Sequence, residues 1–111
     1  MTPTTAPVLT IHEAICARDG SGAVSAGAVL TEAEAVVKRR NELDVVVCGL
    51  DAFANARLAH RIESAVGPCK PDGPHVDTAG AMALPHFQQK ATPPAGHTFY
   101  ETPKRKAVTT A

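Results

Sequence analysis

Apolar residues fall in short, separated stretches along this chain, and the spacing inside each stretch predicts its element. Ile11, Ala14 and Ile15 make a narrow stripe at helical spacing, behind Thr10 and Glu13 at the spacing of a capping box. A first helix is expected from Thr10 to about Arg18, ended by Asp19 and Gly20. Gly22 to Leu30, mostly Ala, Val and Gly, reads as a loop with a short extended piece. Thr31 and Glu34 repeat the capping signal, and a second helix is expected from Glu32 to about Asn41. Ala33, Val36 and Val37 give it an inner face. Lys38, Arg39 and Arg40 fall in its last turn, where cations suit the helix dipole.

Asp44 to Cys48 is a β-branched run without polar alternation, which predicts a strand covered on both faces. Gly49 ends it and Asp51 is placed to cap a third helix, from about Ala52 to Val66. Leu58, Ala59, Ile62, Ala65 and Val66 form the stripe that this helix buries, and Gly67-Pro68 stops it. Asn55 lies in line with the stripe, so its amide must find partners, and pinning the Pro-rich loops to the helix is the expected role. From Pro68 onward the chain holds seven of its nine prolines, and regular helix gives way to short segments. Gly96 to Glu101 reads as a strand with His97, Phe99 and Glu101 on one face and Thr98 and Tyr100 on the other.

The expected fold class is α+β: a small single domain with two or three N-terminal helices packed on a short β-sheet, and a Pro/Gly-rich C-terminal half. Residues 1–9 are expected to be disordered, 10–106 to form the domain, and 107–111 to fray. The 111 residues suffice for one core. With no Trp and few aromatics, that core must rest on Val, Leu and Ile. A formal net charge of zero removes any global electrostatic argument for nucleic acid or an anionic membrane. Cys16, Cys48 and Cys69 are odd in number and make no CxxC, so reduced thiols are expected rather than a disulfide framework or a zinc knuckle. No apolar run is long enough to span a membrane, and the N-terminus lacks the pattern of a secretory signal.

Candidate chemistry gathers in the C-terminal half. His75, His86 and His97 each adjoin Pro or Gly, in loops that proline stiffens. Two histidines flanking a phosphodiester can deprotonate an RNA 2′-hydroxyl and protonate the leaving oxygen without a metal. His86 and His97 are the expected pair, His75 the reserve, and Glu101 the group that orients His97. Lys70, Lys90, Lys104 and Arg105 are candidate phosphate partners, and Tyr100 a base-stacking or hydroxyl-donating group. Arg57, His60, Arg61 and Ser64 share one face of the third helix, either a solvated surface or an anion-binding one. A metal site would draw on His75, Asp77, His86 and His97, but their spacing matches no dedicated motif. The unit around Gly49 lacks the glycines of a phosphate-binding loop, and Asp51 would repel an anion there.

Asp44 to Gly49, Asn55 to Glu63, Ala83 to Gln88 and Gly96 to Glu101 resemble, in style and order, the C-terminal toxin domains of bacterial polymorphic toxins of the Rhs/PAAR type. The likeness covers about residues 31–106. It implies a bacterial effector made in the cytoplasm, held in check by a cognate immunity protein, and delivered into a target cell by a larger carrier or type VI secretion. Many such domains are small His-dependent ribonucleases, so the expectation is a metal-independent ribonuclease with an RNA substrate and no cofactor. A non-catalytic adaptor with Pro/His-rich recognition loops and a metal-dependent nuclease are the alternatives.

Overall fold

The computed structural model describes residues 9–16, 23–73 and 84–109. Their elements follow in the order β1 (Thr10–Cys16), β2 (Val24–Leu30), α1 (Glu32–Arg40), β3 (Val45–Cys48), α2 (Ala52–Val66), β4 (Cys69–Asp72), β5 (His86–Gln89), β6 (Thr98–Tyr100) and β7 (Val108–Thr109). The strands make one mixed sheet in the order β4-β5-β6-β3-β1-β2-β7. β3 runs parallel to β6 and antiparallel to β1, while β7 lies parallel to β2.

The expectation of two or three N-terminal helices on a short sheet is corrected by this arrangement. Thr10 to Cys16 is a strand, paired with β2 on one edge and β3 on the other. Its capping-box spacing goes unused, and Glu13 instead meets Lys38 Nζ at 3.0 Å. Thr10, Ile11 and Ile15 are β-branched, and ladders on both edges outweigh a local helix signal. The Ala/Gly-rich stretch expected as a loop is β2, whose small residues hid a strand that depends on its neighbours. The tail expected to fray from residue 107 carries β7, and Ala107 is buried.

Both helices form where their caps place them. Thr31 Oγ1 accepts the Glu34 N–H at 3.1 Å, and Glu34 Oε1 accepts the Thr31 N–H at 2.8 Å. Asp51 Oδ1 accepts the Phe53 N–H at 2.9 Å. Leu58, Ala59 and Ile62 of α2 pack with Val45, Val47, Ile11, Ala35 and Phe87 on one side of the sheet. On the other side Val46 joins Val24, Leu84, Phe99 and Ala107. Alternation along β3 thus feeds two cores, and all three valines are fully buried.

Between the helices and the sheet runs a buried ionic network. Arg39 Nε and Nη2 donate to Glu63 Oε1 and Oε2 at 2.8 and 3.0 Å. Thr98 Oγ1 and Gln89 Nε2 add bonds of 2.6 Å to the same carboxylate. Arg39 Nη1 also donates to Ala95 O at 3.0 Å, which fastens the segment leading into β6. Burial opposes the Glu63 carboxylate, but Arg39, Thr98 and Gln89 overcome it and hold the pKa below the usual range. Gly96 lies beside this network at φ 106, and a Cβ there would come within 2.6 Å of Arg39 Nη1, so glycine is required on both counts.

Candidate functional site

Strand register sets a row of side chains on the face away from the helices. His12 is opposite Val46, Val46 is opposite Phe99, Phe99 is opposite His86, and His86 is opposite Asp72. His97 stands just before β6 and Asp44 just before β3, so the parallel pairing of those strands sets the two side by side.

The structure brings His86 and His97 together. Their ring centroids are 4.6 Å apart in an edge-to-face arrangement, and both rings lean on Phe99, at 5.4 and 5.3 Å. His86 is only 1% exposed. Its Nε2 donates to Gln88 Oε1 at 3.2 Å and lies 3.6 Å from Asp72 Oδ2. Its Nδ1 is 3.5 Å from Leu84 O. Burial and the neighbouring His97 lower the His86 pKa, against the opposing pull of Leu84, Gln88 and Asp72, so this ring is neutral near neutral pH. Rings in edge contact leave no room for a phosphorus centre between them, so the two histidines do not flank a cleft.

His97 is the accessible partner, with its side chain 39% exposed. Asp44 Oδ1 accepts the His97 backbone N–H at 2.7 Å and lies 3.6 Å from its Nδ1. That Nδ1 is buried and makes no hydrogen bond, which leaves the opposite edge of the ring as the solvent-facing one. Burial works against the Asp44 carboxylate, yet the His97 ring, backbone N–H and charge, with the Cys16 thiol, bring its pKa below the ordinary value. Cys16 Sγ donates to Asp44 Oδ2 at 3.5 Å. Burial and the charge of Asp44 push this thiol up to about 11.

Other expected site residues are placed elsewhere. Glu101 does not orient His97: its carboxylate accepts the Gly49 N–H at 3.2 Å and the Ala107 N–H at 2.7 Å, bracing the C-terminal segment. Tyr100 is half-buried on the helix side, stacked on Phe87 at 5.7 Å, and does not present its ring to a base. Arg57 and Arg61 belong to α2, across the sheet from the histidine pair, and Arg61 is engaged by Glu32 in two 2.7 Å bonds. Lys70 is exposed on β4 opposite Gln88, on the His86 face. Lys90 is exposed after β5, and Lys104 in the turn that Thr102 and Arg105 close. His75 and Asp77 lie outside the described residues. Among the described residues no three of His, Cys, Asp and Glu assemble as a metal site, and no helix is long and apolar enough to cross a membrane.

Asn55 performs the pinning role expected of it. Its Nδ2 donates to Gly49 O at 3.0 Å and Glu101 O at 2.9 Å, joining α2 to the loop after β3 and the segment after β6. Its Oδ1 is buried without a hydrogen bond. Sequence reasoning missed Asp44, Asp72 and Gln88, whose proximity to the histidines depends on pairing between distant strands.

Comparison with protein-family models, curated proteins and solved structures gives no match for this chain.

Proposed function

We propose that the domain is a metal-independent ribonuclease effector of the bacterial toxin type, in which His97 transfers the proton and Asp44 holds it in place. The observation that carries this reading is the histidine pair itself: an accessible His97 against a carboxylate, in contact with a buried neutral His86. His86, buried and neutral, leaves His97 as the ring of the pair that meets both solvent and a carboxylate. His97 can take the proton of a 2′-hydroxyl as base while solvent water protonates the leaving oxygen, with Lys70 on the same face as the group that meets phosphate. RNA as substrate, a cognate immunity protein as partner, and delivery by a larger carrier rest on the toxin-domain resemblance.

The near-complete burial of His86 favours a second reading, in which the pair is a packing element of a non-catalytic binding module. Expression in bacteria separates the two. The nuclease reading expects growth arrest and fragmented RNA from the parent chain, activity of the purified protein in EDTA, and loss of both in His97→Ala. Intact RNA in cells making folded parent protein would remove it in favour of the binding module.

A further inference from the structure

Phe53 is 82% exposed and Leu50 74%, the two highest values for large apolar side chains among the described residues. The chain has only three Phe and one Tyr, and the other aromatic rings are packed against the sheet. A domain so poor in aromatics that leaves one in water forgoes part of its own core. Leu9, 43% exposed, extends the patch, for its Cδ1 lies 3.3 Å from the point a Cβ on Gly49 would occupy.

Cations surround these groups. Arg57 follows Phe53 by one turn of α2 and is exposed. Lys106 Nζ reaches Gly49 O at 3.5 Å, and Lys104 is exposed on the adjoining turn. No salt bridge joins Arg57, Lys104 or Lys106 to a carboxylate among the described residues. Two carboxylates lie at this place and both are engaged by backbone: Asp51 with the Phe53 and Ala54 N–H groups, and the buried Glu101 with those of Gly49 and Ala107.

We propose that Leu9, Leu50 and Phe53, rimmed by Arg57, Lys104 and Lys106, form a docking surface for a partner protein that presents an apolar pocket edged with carboxylates. Apolar anchors at the centre with charge at the rim are the usual anatomy of a protein interface. Two of the three anchors are aliphatic and offer no ring for a base, whereas strand binding to nucleic acid stacks successive bases on aromatic rings. A second copy of this chain meeting the patch face to face would set cations against cations, which charge complementarity disfavours. The patch lies at the end of β3 away from Asp44 and His97, so the proposal does not rest on the nuclease reading.

The test is a titration of the ¹⁵N-labelled full chain with a synthetic amphipathic peptide of Leu and Glu, beside the same peptide with Lys for Glu and an oligouridylate. The acidic peptide should give saturable shifts confined to residues 9–10, 49–57 and 102–106, weakened by salt. Phe53→Ser should lower its affinity roughly ten-fold or more without changing the circular dichroism spectrum, and Leu50→Ser should act in the same direction. Absence of saturable binding, equal binding of the basic peptide, shifts centred elsewhere, or unchanged affinity in both folded variants would overturn the proposal. Tighter binding of oligouridylate at these residues would assign the patch to RNA and overturn it as well.

Discussion

Asp44 Oδ1 accepts the backbone N–H of His97 at 2.7 Å while lying 3.6 Å from the same residue's Nδ1. One carboxylate oxygen thereby fixes the strand entry and faces the buried edge of the ring. If His97 moves the proton, His97→Ala should cost about 10²–10⁴-fold in RNA cleavage. Asp44→Asn keeps an acceptor for the backbone N–H and loses the charge, so it should lower the rate while the fold survives with the modest stability loss that the lowered Asp44 pKa implies. Arg61→Ala, across the sheet and paired to Glu32, should leave the rate unchanged. Gel assays on purified variants, with urea melts as a control for folding, check all three.

His86 predicts a stability loss on mild acidification. Its folded-state pKa lies below the ordinary 6.5, so the unfolded chain binds this proton more readily and stability falls as pH drops. The His86 contribution is whole above about pH 6.5 and is lost as pH falls through the lowered value. Asp44 and Glu63, both held below their ordinary values, add a further loss in more acid solution. Urea melts across pH should show two stages of loss, and His86→Phe should flatten the first. The same slope below pH 6.5 in both proteins would clear His86 of this role.

Arg39 and Glu63 predict a strong, asymmetric response to substitution. Arg39→Met leaves the buried Glu63 carboxylate without its cation and should destabilise the fold by about 3–5 kcal/mol. Adding Glu63→Leu should recover part of that loss, since no bare carboxylate remains, although Thr98 and Gln89 lose an acceptor. A double-mutant cycle by chemical denaturation measures the difference. Additive effects of the two changes would refute the coupling.

The three cysteines are free in the structure. Burial and the Glu101 charge push the Cys48 thiol up to about 12, and Cys16 stands at about 11 beside Asp44. Both should react with a disulfide reagent far more slowly than free cysteine at pH 8, because the thiolate is the attacking species. Three equivalents should react at once after unfolding without reductant. A burst of rapid labelling at Cys16 in the native protein would contradict the environment described for it.

Local signals carried the reading wherever the determinant was local. Val45 to Val47 had to be covered on both sides, and the caps at Thr31 and Asp51 each start a helix. Thr10 and Glu13 offer the same capping spacing and stand in a strand instead, because β2 and β3 lie alongside. A cap reports what a segment can begin, and ladder partners decide what it becomes. His86 and His97 were expected as a pair flanking a phosphodiester, but β5–β6 pairing sets their rings in edge contact and buries His86. Asp44 was not legible, since it reaches His97 across 53 residues of chain through a parallel pairing that no local pattern encodes. Glu101 failed for a related reason: strand alternation suggested its side, while two backbone N–H groups claimed its oxygens.

The position of β3, with β1 on one edge and β6 on the other, has a consequence for biogenesis. A nascent chain that has emerged only through α2 can already form the β1–β2 hairpin and both helices. Its valine strand would still show one open edge, an apolar β-branched template of the sort that recruits other strands. Cover arrives only with Thr98 to Tyr100. Closure of this edge therefore waits until residues 98–100 have emerged, and for that interval the chain depends on speed or on a chaperone to stay unaggregated.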